Sequence, residues 1–402
     1  MPGALDGLKI VDMTGVALGP FATMLMAEQG AEVIKVESPA GGTTRHVGKS
    51  KRNKGMGAHH LFVNRNKRAL CLDLKRPEAL AALRQVLATA DALVYSFRPQ
   101  AMAKLGLSYE DVKKINPSIV YAGAYGYSAD GPYGKRPAYD DAIQALSGYA
   151  ALVAGEGYAD GTSPPRYAPT VMADKTVGLT FAYAILCALI HKVRTGEGQQ
   201  VEVPMFETMV SWLLLEHLSD RTFGPDGALG YSRLTAPHRK PYKASDGWLC
   251  ILPYTDRHWR KFFDLAGRPD VMDDPRYATL GERSLRIGEL YAMVDMLTPS
   301  RTVAEWLEVL EAAEIPATPV RTLEQLVDDP HLKWRGLLHE VEHHSEGTIA
   351  NVAAPVRFEK TPSRLKRGAP LLGEDSEAIL REAGIPDAEI AALRASGALV
   401  QG

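Results

Sequence analysis

The stretch LKIVDMTGVALGPFATMLMAEQGAEVIKVE, residues 8–37, decides the fold. LKIVDM (8–13) has the apolar run of a buried strand, GPFATMLMAEQG (19–30) the spacing of a short helix, and EVIKVE (32–37) the β-branched content of a second strand. That order is a βαβ unit.

The same grammar continues outward. RALCLDL (68–74) reads as a strand, PEALAALRQVLATA (77–90) as a helix, and ALVYSF (92–97) and SIVYAGAYG (118–126) as further strands. Open, mostly parallel sheets are built this way, and they bind ligands beyond the carboxyl ends of their strands. The first turn, TGVALGPF, precedes a glutamate that ends the second strand, Glu37, which invites a dinucleotide site. Its spacing is Gly15-x-x-x-Gly19, however, without the glycine that lets a pyrophosphate approach the backbone. A nicotinamide or flavin dinucleotide is therefore not expected.

YAPTVMADKTVGLTFAYAILCALIHKVRTGEGQQVEV (167–203) is mostly an apolar helix with one acid, Asp174, near its start. The segment 219–247 is rich in glycine, proline and both charges, and reads as a crossing between domains. GWLCILPY (247–254) reads as a strand and DDPRYATLGER (273–283) punctuates helices, which suits a smaller α+β domain. Helical periodicity resumes at 370–384, with Gly373 and Asp375 at the expected helix entry.

With 402 residues the chain exceeds a single core, so one large and one appended domain are expected. The 46 basic and 48 acidic side chains leave a formal charge of −2, which argues against nucleic acid or an anionic membrane as partner; any anion site must be local. Cys71, Cys187 and Cys250 lie far apart in apolar stretches and read as reduced core residues. The first residues lack the pattern of a secretory leader, and the apolar run Val177 to Ile190 is shorter than the roughly 20 residues of a membrane span. A cytoplasmic protein is the expectation. The pairs His59-His60 and His343-His344 invite a metal, but adjacent side chains diverge and no ligand-spaced Cys, Asp or Glu accompanies them, so none is expected.

The order of local signatures is more specific than the fold grammar. FVNRNKRALCLDLK (62–75), the stretch 97–133 from FRPQ to DGPY, YDDAIQALSG (139–148), Asp174, RTGEGQQVEVPMFE (194–207), EIPATPV (314–320) and APLLGEDSEAIL (369–380) follow the opening unit in collinear order. Together they resemble the family III CoA-transferases, with the α-methylacyl-CoA racemases as cousins. The resemblance implies an α/β fold: a Rossmann-like large domain made from both chain termini, plus a smaller α+β domain, in an interlocked homodimer. It places the large domain at 1–200, a linker helix at 201–225, the small domain at 226–330, and a linker returning to the large domain at 331–402.

Asp174 has two readings from its position alone. Aspartate near a helix start is a common capping choice, and the helix dipole there also favours an ionised carboxylate fit for nucleophilic attack. The resemblance places the family's nucleophile at Asp174 and implies coenzyme A as substrate, carried as acyl-CoA, with a carboxylic acid as acceptor and no metal. It also implies an aspartyl anhydride followed by an aspartyl-CoA thioester. Val16, Ala17, Leu72, Lys75, Phe97, Arg98 and Lys104 are carried over as CoA contacts, and Tyr139 with Asp140 as the substrate pocket.

Several residues depart from family patterns. Tyr139 stands where racemase relatives have a histidine, and a phenol with ordinary pKa near 10 is a weak base, so transfer is favoured over racemisation. Ser38 and Lys104 stand where some relatives have arginine, and lysine lacks the bidentate fork. The stretch 220–330 has no glycine run like the loop of the formyl-CoA branch, so oxalate or formyl specificity is not expected. Arg233, His238, Arg239 and Lys240 form a basic cluster that could bind the distal carboxylate of a dicarboxylate acceptor, or be a solvated linker. A CoA-binding protein without catalysis remains the reading from another class, disfavoured by the intact aspartate.

Overall fold

The computed structural model describes residues 2–155, 158 and 161–402. In chain order its strands are β1 (Lys9–Met13), β2 (Glu32–Glu37), β3 (Lys67–Leu72), β4 (Ala92–Tyr95), β5 (Val120–Tyr125), β6 (Gln200–Pro204), β7 (Tyr242–Lys243), β8 (Trp248–Ile251), β9 (Ala317–Pro319), β10 (Leu338–His343), β11 (Gly347–Val352) and β12 (Leu399–Val400). The chain divides into two compact units, one of residues 1–147, 168–211 and 331–402, the other of residues 148–167 and 212–330.

The larger unit holds a seven-stranded sheet of order β12-β3-β2-β1-β4-β5-β6. β1 to β6 run parallel, with Ile10 opposite both Val33 and Ala92, while β12 adds antiparallel to β3. β4 and β5 are apolar without alternation and buried throughout, because both faces are covered. Val11, Ile34, Leu70 and Leu93 share a core with Ala79, Leu83 and Val86 of helix Pro77–Ala88, whereas Ile10 and Val33, on the opposite face, are also buried. Strand order reverses between β1 and β4, which opens a crevice at their carboxyl ends.

Helix Leu18–Glu28 follows β1, and the long helix Met172–Thr195 packs beside it. Gly178 makes that contact possible: a Cβ there would lie 3.0 Å from both the Leu18 carbonyl oxygen and the Phe21 ring. The long helix has 24 residues and, among the described residues, is the one helix long and apolar enough to cross a membrane. This corrects the expectation of too short a span, because helical structure extends beyond the apolar run at both ends. Val177, Phe181, Ile185 and Leu189 are buried, while Leu179, Tyr183, Cys187, Ile190 and Val193 form an exposed apolar stripe. Cys187 and Cys250 are exposed, not core residues as expected: the first lies on this stripe, the second on the outward side of β8.

In the smaller unit β7, β8 and β9 form an antiparallel sheet whose core includes Leu249, Trp259, Phe262, Phe263 and Trp306. The Trp306 indole N–H donates to the Thr298 carbonyl at 2.7 Å, so its burial leaves no polar group unmet. Asp375 does stand at the entry of helix Ser376–Glu382, but its carboxylate accepts from the Ala69 backbone N–H (2.9 Å) and from Arg367 (2.8 Å). It fastens the tail to β3 instead of capping its own helix.

Candidate active site

The carboxyl ends of β1 to β5 surround a cleft of about 750 Å³. Its floor is set by a buried charge cluster. Asp12, wholly buried in β1, accepts the Thr14 backbone N–H (2.8 Å), the Thr14 hydroxyl (2.5 Å) and the Thr23 hydroxyl (2.7 Å), and pairs with Lys67 (3.0 Å) and Lys35 (3.4 Å). Burial alone would raise its pKa; the two ammoniums and two hydroxyls outweigh that and hold the carboxyl far below the usual range. Lys67 is in turn pushed down to about 8 by burial and by Lys35, against the attraction of Asp12.

Above this cluster the first turn is strained. Val16 has φ of +60°, a left-handed conformation that costs a β-branched residue on the order of 1–3 kcal/mol, and it stands 41% exposed in the wall of the cleft. Gly19 is required just beyond: a Cβ there would meet the Thr14 side chain at 2.3 Å.

Asp174 enters from the long helix, as its third residue, and lines the same cleft. It is 8% exposed. Its backbone N–H donates to Asp140 Oδ1 at 2.9 Å; the other Asp140 oxygen accepts from Gln144, whose own Oε1 accepts the Ala168 N–H at 2.9 Å. Asp140 and Gln144 thus tie down the chain on both sides of the turn into the helix. Burial first, then the negative charges of Asp140 and Asp141, push the Asp174 carboxyl from 3.8 up to about 7. The helix-start position, expected from sequence to favour the ionised form, is opposed first by burial and then by the two carboxylates that helix Asp140–Leu146 brings near.

Two other acids line the cleft, and both are engaged. Glu37 is held by Arg45 through two hydrogen bonds (2.9 and 2.6 Å) and by the Gly42 N–H, whereas Asp73 accepts the Lys75 N–H and lies 3.4 Å from Arg76. Among the described residues none donates a hydrogen bond to the Asp174 carboxylate. A buried, unencumbered carboxylate in a cleft at the switch point of a parallel sheet is a candidate nucleophile.

Comparison with known proteins bears on that chemistry. The sequence profile of CoA-transferase family III matches residues 5–376. The chain belongs to CoA-transferase family III. It is 31% identical to the succinate–glutarate CoA-transferase of Agrobacterium fabrum, across 94% of this chain and 95% of that protein. The crystal structure of Rv3272 of Mycobacterium tuberculosis, a probable fatty acyl-CoA transferase, is 29% identical and superposes with a TM-score of 0.80 over 94% of this chain and 99% of that one. A CAIB/BAIF family protein from Brucella suis superposes at 0.79, with 29% identity, over 95% and 100% of the two chains. CoA transfer in the general sense follows from the family, and the protein is a transferase.

Of the residues expected to contact CoA, Val16, Leu72, Lys75, Phe97 and Arg98 line the cleft, together with Tyr139 of the expected substrate pocket. Ala17, Lys104 and Asp140 do not. Ala17 is buried at the start of helix Leu18–Glu28, Lys104 lies exposed in the last turn of helix Pro99–Lys104, and Asp140 sits behind Asp174, as described. Ser38 lines the cleft, and so does a cation that sequence reading missed, Arg136, which lies over the Tyr133 ring at 4.1 Å. Arg136 lies in the glycine-containing loop 126–141, and its position two residues after Gly134 was the available signal. Lys75, Arg98 and Arg136 give the rim the cations that a diphosphate needs, and exposed Phe97 offers an aromatic face.

The basic cluster of the crossing segment is largely engaged. Arg233 donates to the Tyr291 hydroxyl (3.0 Å), and His238 and Lys240 both pair with Asp295 (3.0 and 2.8 Å), while Arg239 is exposed. His343 and His344 do not diverge as expected; their rings stack at 4.5 Å and His344 bonds Glu374. Among the described residues no three His, Cys, Asp or Glu side chains gather as a metal group.

Proposed function

We propose that this protein moves CoA from an acyl-CoA to a free dicarboxylate through covalent chemistry on Asp174. The observation that carries this reading is the free carboxylate of Asp174 in the cleft, beside two acids already engaged. An Asp174 oxygen attacks the thioester carbonyl, a C–O bond forms, the C–S bond breaks, and CoA leaves as thiolate. The thiolate then attacks Asp174 Cγ of the mixed anhydride, releasing the donor acid and leaving an aspartyl-CoA thioester. The acceptor carboxylate attacks that thioester, and the returning thiolate takes its acyl group, which frees Asp174. Each exchange conserves an activated acyl bond, so neither ATP nor a metal enters the scheme. The low-dielectric wall that raises the Asp174 pKa also limits water that would hydrolyse the anhydride.

The acceptor class rests on the similarity to a relative named for succinate and glutarate. The cleft wall contains no histidine among the described residues, so the base that passes a proton at the α-carbon in a racemase has no counterpart there; Tyr139, 69% exposed, is the side chain at that place. A homodimer is the proposed working form, supported by the exposed apolar stripe of Leu179, Tyr183, Ile190 and Val193.

The test is peptide mass spectrometry after incubation with succinyl-CoA or glutaryl-CoA followed by hydroxylamine. Acyl-CoA-dependent modification of the Asp174 peptide is expected, with loss of the signal in Asp174→Asn. CoA exchange between succinate and glutarate with that peptide unmodified would overturn the covalent route.

A further inference from the structure

The peptide unit joining Thr14 to Gly15 is held at both ends by side chains that line the cleft. Its carbonyl oxygen accepts from the Lys35 ammonium, and its N–H donates to Ser96 Oγ at 2.9 Å. The next residue is Val16, in the left-handed conformation and on the cleft wall. The preceding N–H and the Thr14 hydroxyl both donate to Asp12, so the entry to the turn is fixed by buried Asp12 and Lys35 and by half-buried Ser96.

The two buried lysines divide the work. Lys67 donates to Asp12 (3.0 Å), the Pro20 carbonyl (3.0 Å), Thr23 (2.8 Å) and Asn64 (3.0 Å), and so knits β1, β3 and helix Leu18–Glu28 together. Lys35 lies farther from Asp12, at 3.4 Å, and its closer partner is the Thr14 carbonyl. Lys35 is also the one of the two that lines the cleft.

We propose that Lys35 is a positioning residue for thioester binding, which with Ser96 clamps the Thr14–Gly15 peptide and thereby holds Val16 in the strained shape that faces the ligand. A valine left without that clamp relaxes toward ordinary backbone angles and carries the turn out of register with the cleft. The inference rests on the reading of the cleft as the CoA site.

The experiment is CoA binding by calorimetry and steady-state kinetics for Lys35→Met, Val16→Gly and the double variant, each first checked for folding by circular dichroism. Lys35→Met is expected to weaken CoA binding and raise the acyl-CoA KM about tenfold with kcat changed far less. Glycine adopts positive φ without strain, so in the Val16→Gly background the same substitution should cost less than about threefold. A folded Lys35→Met protein that binds CoA within twofold of wild type, or an equal loss in both backgrounds, overturns the proposal. Should Lys35→Met not fold, Ser96→Ala removes the other end of the clamp without disturbing a buried charge. It is expected to show the same KM-selective loss, about threefold, and no loss would overturn the proposal. Failure of the wild-type protein to bind CoA at all would instead sink the reading of the cleft.

Discussion

Asp12 and Asp174 are two buried aspartates of the larger unit, one under the cleft and one in its wall, and their surroundings drive them apart. Around Asp12 the chain assembles two ammoniums, two hydroxyls and a backbone N–H, and its carboxyl is held far below the ordinary value. Around Asp174 it assembles burial and two further acids, and the carboxyl is pushed up to about 7. Burial is the first influence on both, in the same direction; the neighbours decide the outcome. A carboxylate given every partner becomes a fastening, whereas one given none retains the reactivity that the fold has not used.

That contrast breaks most sharply at Asp174 itself. Asp174→Asn keeps the shape and removes the proposed nucleophile, so CoA transfer should fall by about 10⁴-fold or more. Steady-state exchange between glutaryl-CoA and succinate measures it. Asp12→Asn should leave chemistry assignable only after stability is lost: with Lys35 and Lys67 short of their counter-charge, unfolding free energy should drop by about 3–5 kcal/mol in urea titrations. A loss of transfer with undiminished stability would reverse the division of roles drawn here.

The two aspartates also make opposite statements about pH. Asp12, with its folded pKa lowered, stabilises the protein above its unfolded value and loses that contribution as pH falls toward the folded one. Asp174, with its folded pKa raised from 3.8 to about 7, is most favourable to folding below 3.8, and that contribution is lost as pH rises through about 7. Replacing Asp174 by asparagine should therefore stabilise the protein at pH 8, by on the order of 2–4 kcal/mol, and give almost no gain near pH 3.5. Urea midpoints of wild type and variant at the two pH values decide it; a gain independent of pH would mean that charge burial at Asp174 is not the cause.

The same contrast marks what could be read from sequence. The βαβ register of residues 8–37 was legible because apolar runs and their punctuation are local properties, and the strands lie at 9–13 and 32–37. The charges inside those runs were not: Lys35 and Lys67 look like interruptions of a strand until β1, β2 and β3 lie side by side around Asp12. Asp174 was legible as a candidate because it is the lone acid of an apolar helix, and the resemblance supplied the proposed chemistry. Its raised pKa was not, since it depends first on burial and then on Asp140, 34 positions away in sequence. The resemblance placed Asp140 in the substrate pocket, and no short stretch shows that its oxygens accept from the Asp174 N–H and from Gln144. The antiparallel β12, the hairpin β10–β11 and the outward face carrying Cys187 depend on pairings or packing that no short stretch announces.

The finest test of the comparison leaves Asp174 in place and changes only its neighbour. Asp140→Asn preserves an oxygen that can accept the Asp174 N–H but removes the charge that, after burial, most raises the Asp174 pKa. In the proposed mechanism the ionised form attacks, so kcat/KM should rise with pH through about 7 in the wild type and through a lower pH, by up to about one unit, in the variant. Asp141→Asn, which removes the next influence, should move the limb the same way by less. A merely structural Asp140 would lower kcat/KM evenly at every pH and leave the limb where it was. Because burial remains after either substitution, neither should return Asp174 to its ordinary value, and a variant that did so would show that charge, not desolvation, separates the two aspartates.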